Sequence, residues 1–194
     1  VASDDGTHFD NFGGKRVVIP PVVDKKVGDW THTRDPKVWK GEDGWYMILG
    51  SRSEEGRGKL LFYRSEDLEN WFYVNDATKG DGWGWMWECP DYFKVEGGQV
   101  LVFSPMRFLK DGKWEENQAI CMAVDFKEEG CEMKLPDAYQ YLDYGLDLYA
   151  PQSTVDAEGR RVLVAWLRMP KAVKEAGKGP WSGMFCLPRV VEVK

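Results

Sequence analysis

Two carboxylic acids beside prolines are the residues whose surroundings point most directly to chemistry. Glu88 lies in residues 87–93, which read Trp-Glu-Cys-Pro-Asp-Tyr-Phe, and Asp35 lies directly before Pro36. A carboxyl group among aromatic side chains tends to keep its proton, because loss of water disfavours the charged form. Such a group can protonate a departing alcohol near neutral pH. The alternative is that Glu88 is a buried glutamate in an ion pair, and its segment alone favours neither interpretation.

Three tryptophans precede Glu88 at alternate positions, namely Trp83, Trp85 and Trp87. In a β-strand, residues at this spacing share one face. Their rings could form a wall for a sugar, which packs against an apolar ring face, or they could pack between sheets. Core packing is expected for at least two of the three. Trp87 and the distant Trp181 are the aromatic candidates for contact with a substrate.

An internal repeat predicts the elements that would position these residues. Pro36, Pro90 and Pro151 each stand in a short extended segment that is followed by a turn and a second extended segment. Two of the turns contain Asp-Gly or Gly-Gly, which supply the positive φ that hairpins need. The prolines are 54 and 61 positions apart, which fits a β-propeller blade of four antiparallel strands. Because the innermost strand of each blade lines the central channel, the residues before the prolines should lie near one axis.

Five segments in order along the chain extend the argument from fold to family. They are Arg34-Asp35-Pro36, Glu88-Cys89-Pro90-Asp91, and residues 148–152, 159–166 and 180–189, which contain Tyr-Ala-Pro-Gln, Val-Leu-Val-Ala-Trp and Leu-Pro-Arg. Together they resemble the signature motifs of glycoside hydrolase family 32, the family of the β-fructofuranosidases. The resemblance covers nearly the whole chain. It implies an all-β fold, a partial five-bladed β-propeller with about three to four blades of four antiparallel strands.

The resemblance also implies roles for individual residues. A retaining glycosidase uses two carboxyl groups roughly 5–5.5 Å apart, one as nucleophile and one as acid and then base. By resemblance, Glu88 is the acid/base, and Asp35 stabilises the transition state by accepting hydrogen bonds from two fructose hydroxyls. Arg34 is interpreted as a residue that orients these carboxylates through bidentate bonds, with a structural salt bridge as the alternative. Tyr149 is expected to donate a hydrogen bond to the Glu88 carboxyl group.

One departure from the family pattern concerns the nucleophile. The family's nucleophile is an aspartate in a Trp-Met-Asn-Asp-Pro-Asn-Gly-like motif, which has no match in the 194 residues. We therefore expect residues 1–194 to be part of one β-propeller catalytic domain that lacks its N-terminal blade or blades. The chain by itself is expected to be inactive. The parent enzyme is expected to hydrolyse terminal β-D-fructofuranosides (sucrose, sucrose 6-phosphate or fructans) with retention.

Composition argues against several other classes of protein. The 26 basic and 32 acidic residues give a formal charge of −6 with no basic cluster, so nucleic-acid binding is not expected. No apolar run reaches the ~18 residues of a membrane span. The four cysteines and two histidines match no zinc, redox or triad motif, so no metal and no cofactor are expected. Scattered cysteines are expected to be free thiols, which favours a cytoplasmic location.

Three alternatives remain open. Fructosyltransferases and arabinan-directed hydrolases use similar propellers with three carboxylates, and a propeller can also bind carbohydrate without catalysis. In each case the partner is a small-molecule or oligosaccharide substrate or ligand. An incomplete propeller would leave sheet edges open, so self-association through these edges is also expected.

Overall fold

The computed structural model describes residues 3–10, 14, 16–169 and 183–193 of the chain. In this part the regular structure is formed by β-strands, and no helix there is long and apolar enough to cross a membrane. The strands are β1 (Arg34–Lys40), β2 (Trp45–Arg52), β3 (Gly58–Ser65), β4 (Phe72–Thr78), β5 (Trp83–Val95), β6 (Gly98–Lys110), β7 (Lys113–Asn117), β8 (Ile120–Lys127), β9 (Glu132–Lys134), β10 (Gln140–Tyr141), β11 (Leu148–Val155), β12 (Arg161–Leu167), β13 (Met184–Phe185) and β14 (Arg189–Val190).

The strands form three antiparallel sheets that follow one another along the chain. The first has the order β1-β2-β3-β4. The second has the order β10-β8-β6-β5, with β7 paired to β6 and β9 paired to β8. The third has the order β11-β12-β13, with β14 also paired to β12. Each sheet begins at one edge and adds its following strands outward, as propeller blades do. The predicted all-β, partial propeller is confirmed, with three blades in the described residues.

The three inner strands, β1, β5 and β11, share one irregularity. Asp35, Cys89 and Ala150, which directly precede the repeated prolines, have φ of 61°, 51° and 51°. Residues other than glycine seldom occupy this left-handed region. At the same three places, the register with the neighbouring strand shifts. These are β-bulges, which bend a strand and change the direction of its side chains. The strained backbone therefore recurs at the end of each blade where the predicted site residues lie.

The first two blades meet through an aromatic core that contains Trp87. This side chain is fully buried, lies 4.7 Å from the Phe103 ring centroid, and donates its indole N–H to the Trp83 carbonyl at 2.6 Å. A Cβ atom at Gly50 would overlap the Trp87 carbonyl oxygen, and one at Gly58 would overlap the indole ring. These glycines allow β5 to approach the first blade closely, which brings the middle of β5, at Glu88 and Cys89, beside the start of β1.

A second core holds the third blade against the second. Its buried side chains come from β5, β6, β11, β12 and the segments that follow β7 and β13. Its buried members are Phe93, Val100, Val102, Ala119, Leu148, Leu163, Ala165 and Cys186. Because this core includes the first residue of β11, it places the start of that strand beside the middle of β5.

Candidate active site

The inner strands bring Arg34, Glu88 and Tyr149 together at equivalent positions, each two residues before a repeated proline. Arg34 donates to Glu88 Oε1 from Nη2 at 2.6 Å and from Nε at 3.1 Å. The Tyr149 hydroxyl donates to the other carboxylate oxygen, Oε2. The expected contacts of Arg34 and Tyr149 with Glu88 are therefore present. Arg34 places both nitrogens on one oxygen, rather than one nitrogen on each.

Asp35 lies beside this cluster. Its Oδ2 accepts a hydrogen bond from the Cys89 backbone N–H at 3.0 Å, and the Cys89 thiol lies 3.6 Å from the same oxygen. The distance from Arg34 Nε to Asp35 Oδ2 is 4.0 Å. The Arg34 guanidinium is thus close to both Glu88 and Asp35, which belong to different blades. These two side chains are 18% and 31% exposed, so both remain accessible to solvent.

Two donors beside the carboxylates are held in their protonated forms. Burial raises the pKa of the Cys89 thiol to about 12, and the negative charges of Asp35 and Glu88 act in the same direction. Burial, with the hydrogen bond to Glu88, raises the pKa of the Tyr149 hydroxyl well above its usual range. At neutral pH the thiol and the hydroxyl therefore remain hydrogen-bond donors to the two carboxylates.

The tryptophan series divides between the core and the rim of the site. Trp87 is fully buried between the blades, so the prediction that it contacts substrate is wrong. Trp83 packs at the edge of the same core. A bulge between Trp83 and Met86, with Gly84 at φ 92°, interrupts the strand pairing. The bulge breaks the two-residue alternation on which the prediction of a shared face depended.

Trp85 is the tryptophan of this series that reaches the rim. Its ring centroid lies 4.9 Å from that of His32, and the Arg52 guanidinium lies over it at 5.1 Å. His32 Nδ1 is in turn 3.5 Å from an Arg34 nitrogen, so Trp85 borders the carboxylate cluster. Trp181, the other predicted aromatic contact, lies outside the described residues.

A second polar layer lies three residues further along each inner strand, and sequence analysis missed it. It consists of the residues that directly follow the three prolines, Lys37, Asp91 and Gln152. Lys37 Nζ lies 3.3 Å from Asp91 Oδ1 and donates to Gln152 Oε1 at 3.3 Å. The signal that could have found this layer is its constant offset from the same prolines that aligned the first layer.

The chemistry of this arrangement is that of carboxyl groups surrounded by donors. Asp35 can accept hydrogen bonds from hydroxyl groups, and Glu88 can exchange a proton with a bound molecule. Within the described residues, no group of three or more His, Cys, Asp or Glu side chains is arranged to hold a metal ion. All four cysteines are free thiols.

Known proteins are similar to this chain in both sequence and architecture. The family model for the glycosyl hydrolases family 32 N-terminal domain matches residues 1–194. A raffinose invertase of Escherichia coli is 35% identical over 194 residues, which cover 98% of this chain and 39% of that protein. A sucrose-6-phosphate hydrolase of Bacillus subtilis is 34% identical over 201 residues, which cover 97% of this chain and 40% of that protein.

A solved structure agrees with these relatives. The β-fructofuranosidase of Bombyx mori superposes with a TM-score of 0.81 at 33% identity, over 97% of this chain and 40% of that chain. The chain thus spans about two fifths of the length of the relatives it matches.

Proposed function

We propose that this chain, which belongs to glycosyl hydrolase family 32, supplies two carboxyl groups of an enzyme that hydrolyses terminal β-D-fructofuranosides with retention. Glu88 is the acid/base, and Asp35 binds the fructosyl ring. The substrate is sucrose, sucrose 6-phosphate or a fructan. The names of the matched relatives, a raffinose invertase and a sucrose-6-phosphate hydrolase, support testing both phosphorylated and unphosphorylated sugars.

The observation that carries this proposal is the approach of Glu88 and Asp35, from separate blades, to one guanidinium. Arg34 Nε is 3.1 Å from the first carboxylate and 4.0 Å from the second. Each carboxylate also has a donor of its own, the Tyr149 hydroxyl for Glu88 and the Cys89 N–H for Asp35. Distinct surroundings of this kind allow two neighbouring acids to take different roles.

The reaction proceeds in two displacements. In the first, Glu88 in its acid form gives its proton to the glycosidic oxygen while a carboxylate nucleophile attacks the anomeric carbon, so that the alcohol leaves and a fructosyl ester forms. In the second, Glu88 takes a proton from a water molecule, which attacks the same carbon and releases fructose. Asp35 accepts hydrogen bonds from fructose hydroxyls that strengthen as positive charge develops on the ring. Arg34 and Tyr149 hold the Glu88 carboxyl group in place through both transfers.

The nucleophile of this scheme has no counterpart motif in the 194 residues. We therefore expect the chain by itself to bind fructose without cleaving fructosides, because covalent catalysis without its nucleophile loses most of its rate. A longer product of the same gene that contained such a motif would complete the site. Hydrolysis of sucrose by the 194-residue chain at the rate of a full-length relative would contradict this expectation.

The test compares Glu88→Gln with Glu96→Gln, the same change at an exposed glutamate beyond the other end of β5. Fructose release from sucrose, sucrose 6-phosphate, raffinose and inulin is measured with the complete gene product. Loss of a general acid/base is expected to lower kcat by about 10²–10⁴-fold, whereas Glu96→Gln should leave kcat unchanged.

Two further measurements separate the alternatives. Product analysis at high sucrose distinguishes hydrolysis from fructosyl transfer, and an arabinan substrate tests the related hydrolase activity. If the complete gene product cleaves no fructoside but still binds fructose saturably, the non-catalytic carbohydrate-binding propeller replaces the proposal. Equal activities of Glu88→Gln and wild type would also overturn it.

A further inference from the structure

The second polar layer joins all three blades through one lysine. Lys37 of the first blade lies 3.3 Å from Asp91 Oδ1 of the second. Its Nζ also donates to Gln152 Oε1 at 3.3 Å and to the Ser153 carbonyl at 2.7 Å in the third blade. The Ser153 backbone N–H donates to the other Asp91 oxygen, Oδ2, at 2.6 Å. Both oxygens of Asp91 therefore face a neighbouring blade.

This layer is connected directly to the backbone of the candidate active site. Gln152 Nε2 donates to the Cys89 carbonyl at 3.2 Å, while the Cys89 N–H donates to Asp35 at 3.0 Å. Cys89 is thus held from the third blade on one side and from the first blade on the other. Its φ of 51° is a left-handed conformation that persists when the surroundings enforce it. Cys89 directly follows Glu88, so its backbone conformation sets where the Glu88 side chain begins.

The second polar layer is not expected to stabilise the fold more than apolar side chains in the same place would. Asp91 is fully buried and the Lys37 side chain is 22% exposed, and a buried ion pair often stabilises a fold no better than apolar side chains of similar volume. Hydrogen bonds, unlike apolar contacts, require defined positions of both partners. The two hydrogen bonds of Lys37 to Gln152 and Ser153, with its ion pair to Asp91, therefore constrain how far the inner strand of the first blade is displaced along the channel relative to the other two.

We propose that Lys37, Asp91 and Gln152 are positioning residues that hold the Cys89 peptide, and through it set the relative placement of Glu88 and Asp35. This inference rests on the proposed function for its catalytic consequence, although the positioning of Cys89 can be measured without any catalysis. Gln152 is the residue on which to test it, because its replacement leaves Asp91 paired with Lys37.

Two substitutions separate the contacts of Gln152. Gln152→Met keeps the length of the side chain and removes both its acceptor and its donor. Gln152→Glu keeps an oxygen that can accept from Lys37 and removes the amide N–H that donates to the Cys89 carbonyl. The matched control is Gln140→Met, at an exposed glutamine of the outer strand β10.

In the complete gene product, both Gln152 variants are expected to lower kcat by about 10-fold or more with KM changed less than about twofold, since a misplacement of about 1 Å can cost about 10²-fold. In the 194-residue chain, both are expected to speed alkylation of Cys89 by iodoacetamide, read by mass spectrometry, while Gln140→Met matches wild type. Melting temperatures measured alongside identify any loss that reflects unfolding.

The outcomes separate the positioning role of Gln152 from the proposed function. Unchanged Cys89 labelling in both Gln152 variants overturns the positioning role. Normal kcat and labelling in Gln152→Glu, with both altered in Gln152→Met, also overturns it, because the glutamine then acts through Lys37 alone. If the wild-type gene product cleaves no fructoside, the proposed function fails, and faster Cys89 labelling in both variants still supports the positioning role.

Discussion

Replacement of Tyr149 by phenylalanine isolates one hydrogen bond of the candidate site. The Tyr149 side chain is 7% exposed and its hydroxyl donates to Glu88 Oε2. The change removes one oxygen and keeps the ring in the core. A hydrogen bond to a charged group contributes about 1.5–3 kcal/mol, which corresponds to about 10–150-fold in an equilibrium or a rate. We therefore expect kcat/KM of the complete gene product to fall by about this factor.

Stability should fall as well, because this hydrogen bond exists in the folded protein before any substrate binds. For a chain of this size, the same free energy lowers the melting temperature by about 3–12 °C. Thermal unfolding is followed by circular dichroism, and initial rates of fructose release are measured at a temperature where every variant is fully folded.

Tyr92→Phe is the matched control. Tyr92 is 2% exposed and its hydroxyl donates to the neutral amide of Gln99 at 2.9 Å. Its loss is expected to cost about 0.5–1.5 kcal/mol of folding free energy and to leave kcat/KM unchanged. If Tyr149→Phe keeps kcat/KM within about twofold of wild type, or if Tyr92→Phe loses as much, the reasoning that Tyr149 holds Glu88 for catalysis is refuted.

Two further predictions address the core and the thiol beside the site. Gly58→Ala should lower the free energy of unfolding by about 1–3 kcal/mol, because its Cβ would overlap the Trp87 indole. The control Gly80→Ala, whose Cβ would meet nothing within 4 Å, should leave the midpoint of urea unfolding nearly unchanged. Equal midpoints for the two variants would contradict this packing. A thiol pKa raised to about 12 means less thiolate at any lower pH, so the rate of iodoacetamide labelling of Cys89 should rise about tenfold per pH unit from pH 8 to 11. The urea-unfolded chain should level off near pH 9, and a plateau below pH 10 in the folded chain would disprove the raised pKa.

The repeat was readable from sequence because prolines and turn glycines impose local backbone geometry. Pro36, Pro90 and Pro151 each mark an inner strand, and this alignment placed Glu88 beside the partners that the structure shows. The register of β5 with its neighbour β6 in the same blade was harder to predict. The bulge at Gly84 shifted the tryptophans away from simple alternation, so that Trp87 became core and Trp85 became rim.

The contacts within the second polar layer were hard to predict from a single sequence. Lys37 and Asp91 are charged residues in strands, which usually indicates an exposed face. Their pairing depends on the displacement of one blade relative to the next, to which packing of the core around Trp87 contributes. Long-range packing of this kind has no local signal, although the shared offset from the prolines would have brought the two residues into one alignment column.

A crystal structure of the protein with bound fructose tests the central claim most directly. We expect one fructosyl ring beside the bulges of the inner strands, with oxygens of both Glu88 and Asp35 within about 3.2 Å of its hydroxyl groups. A sugar bound elsewhere on the propeller, or one that contacts neither carboxylate, would contradict the assignment of these two residues to a single site.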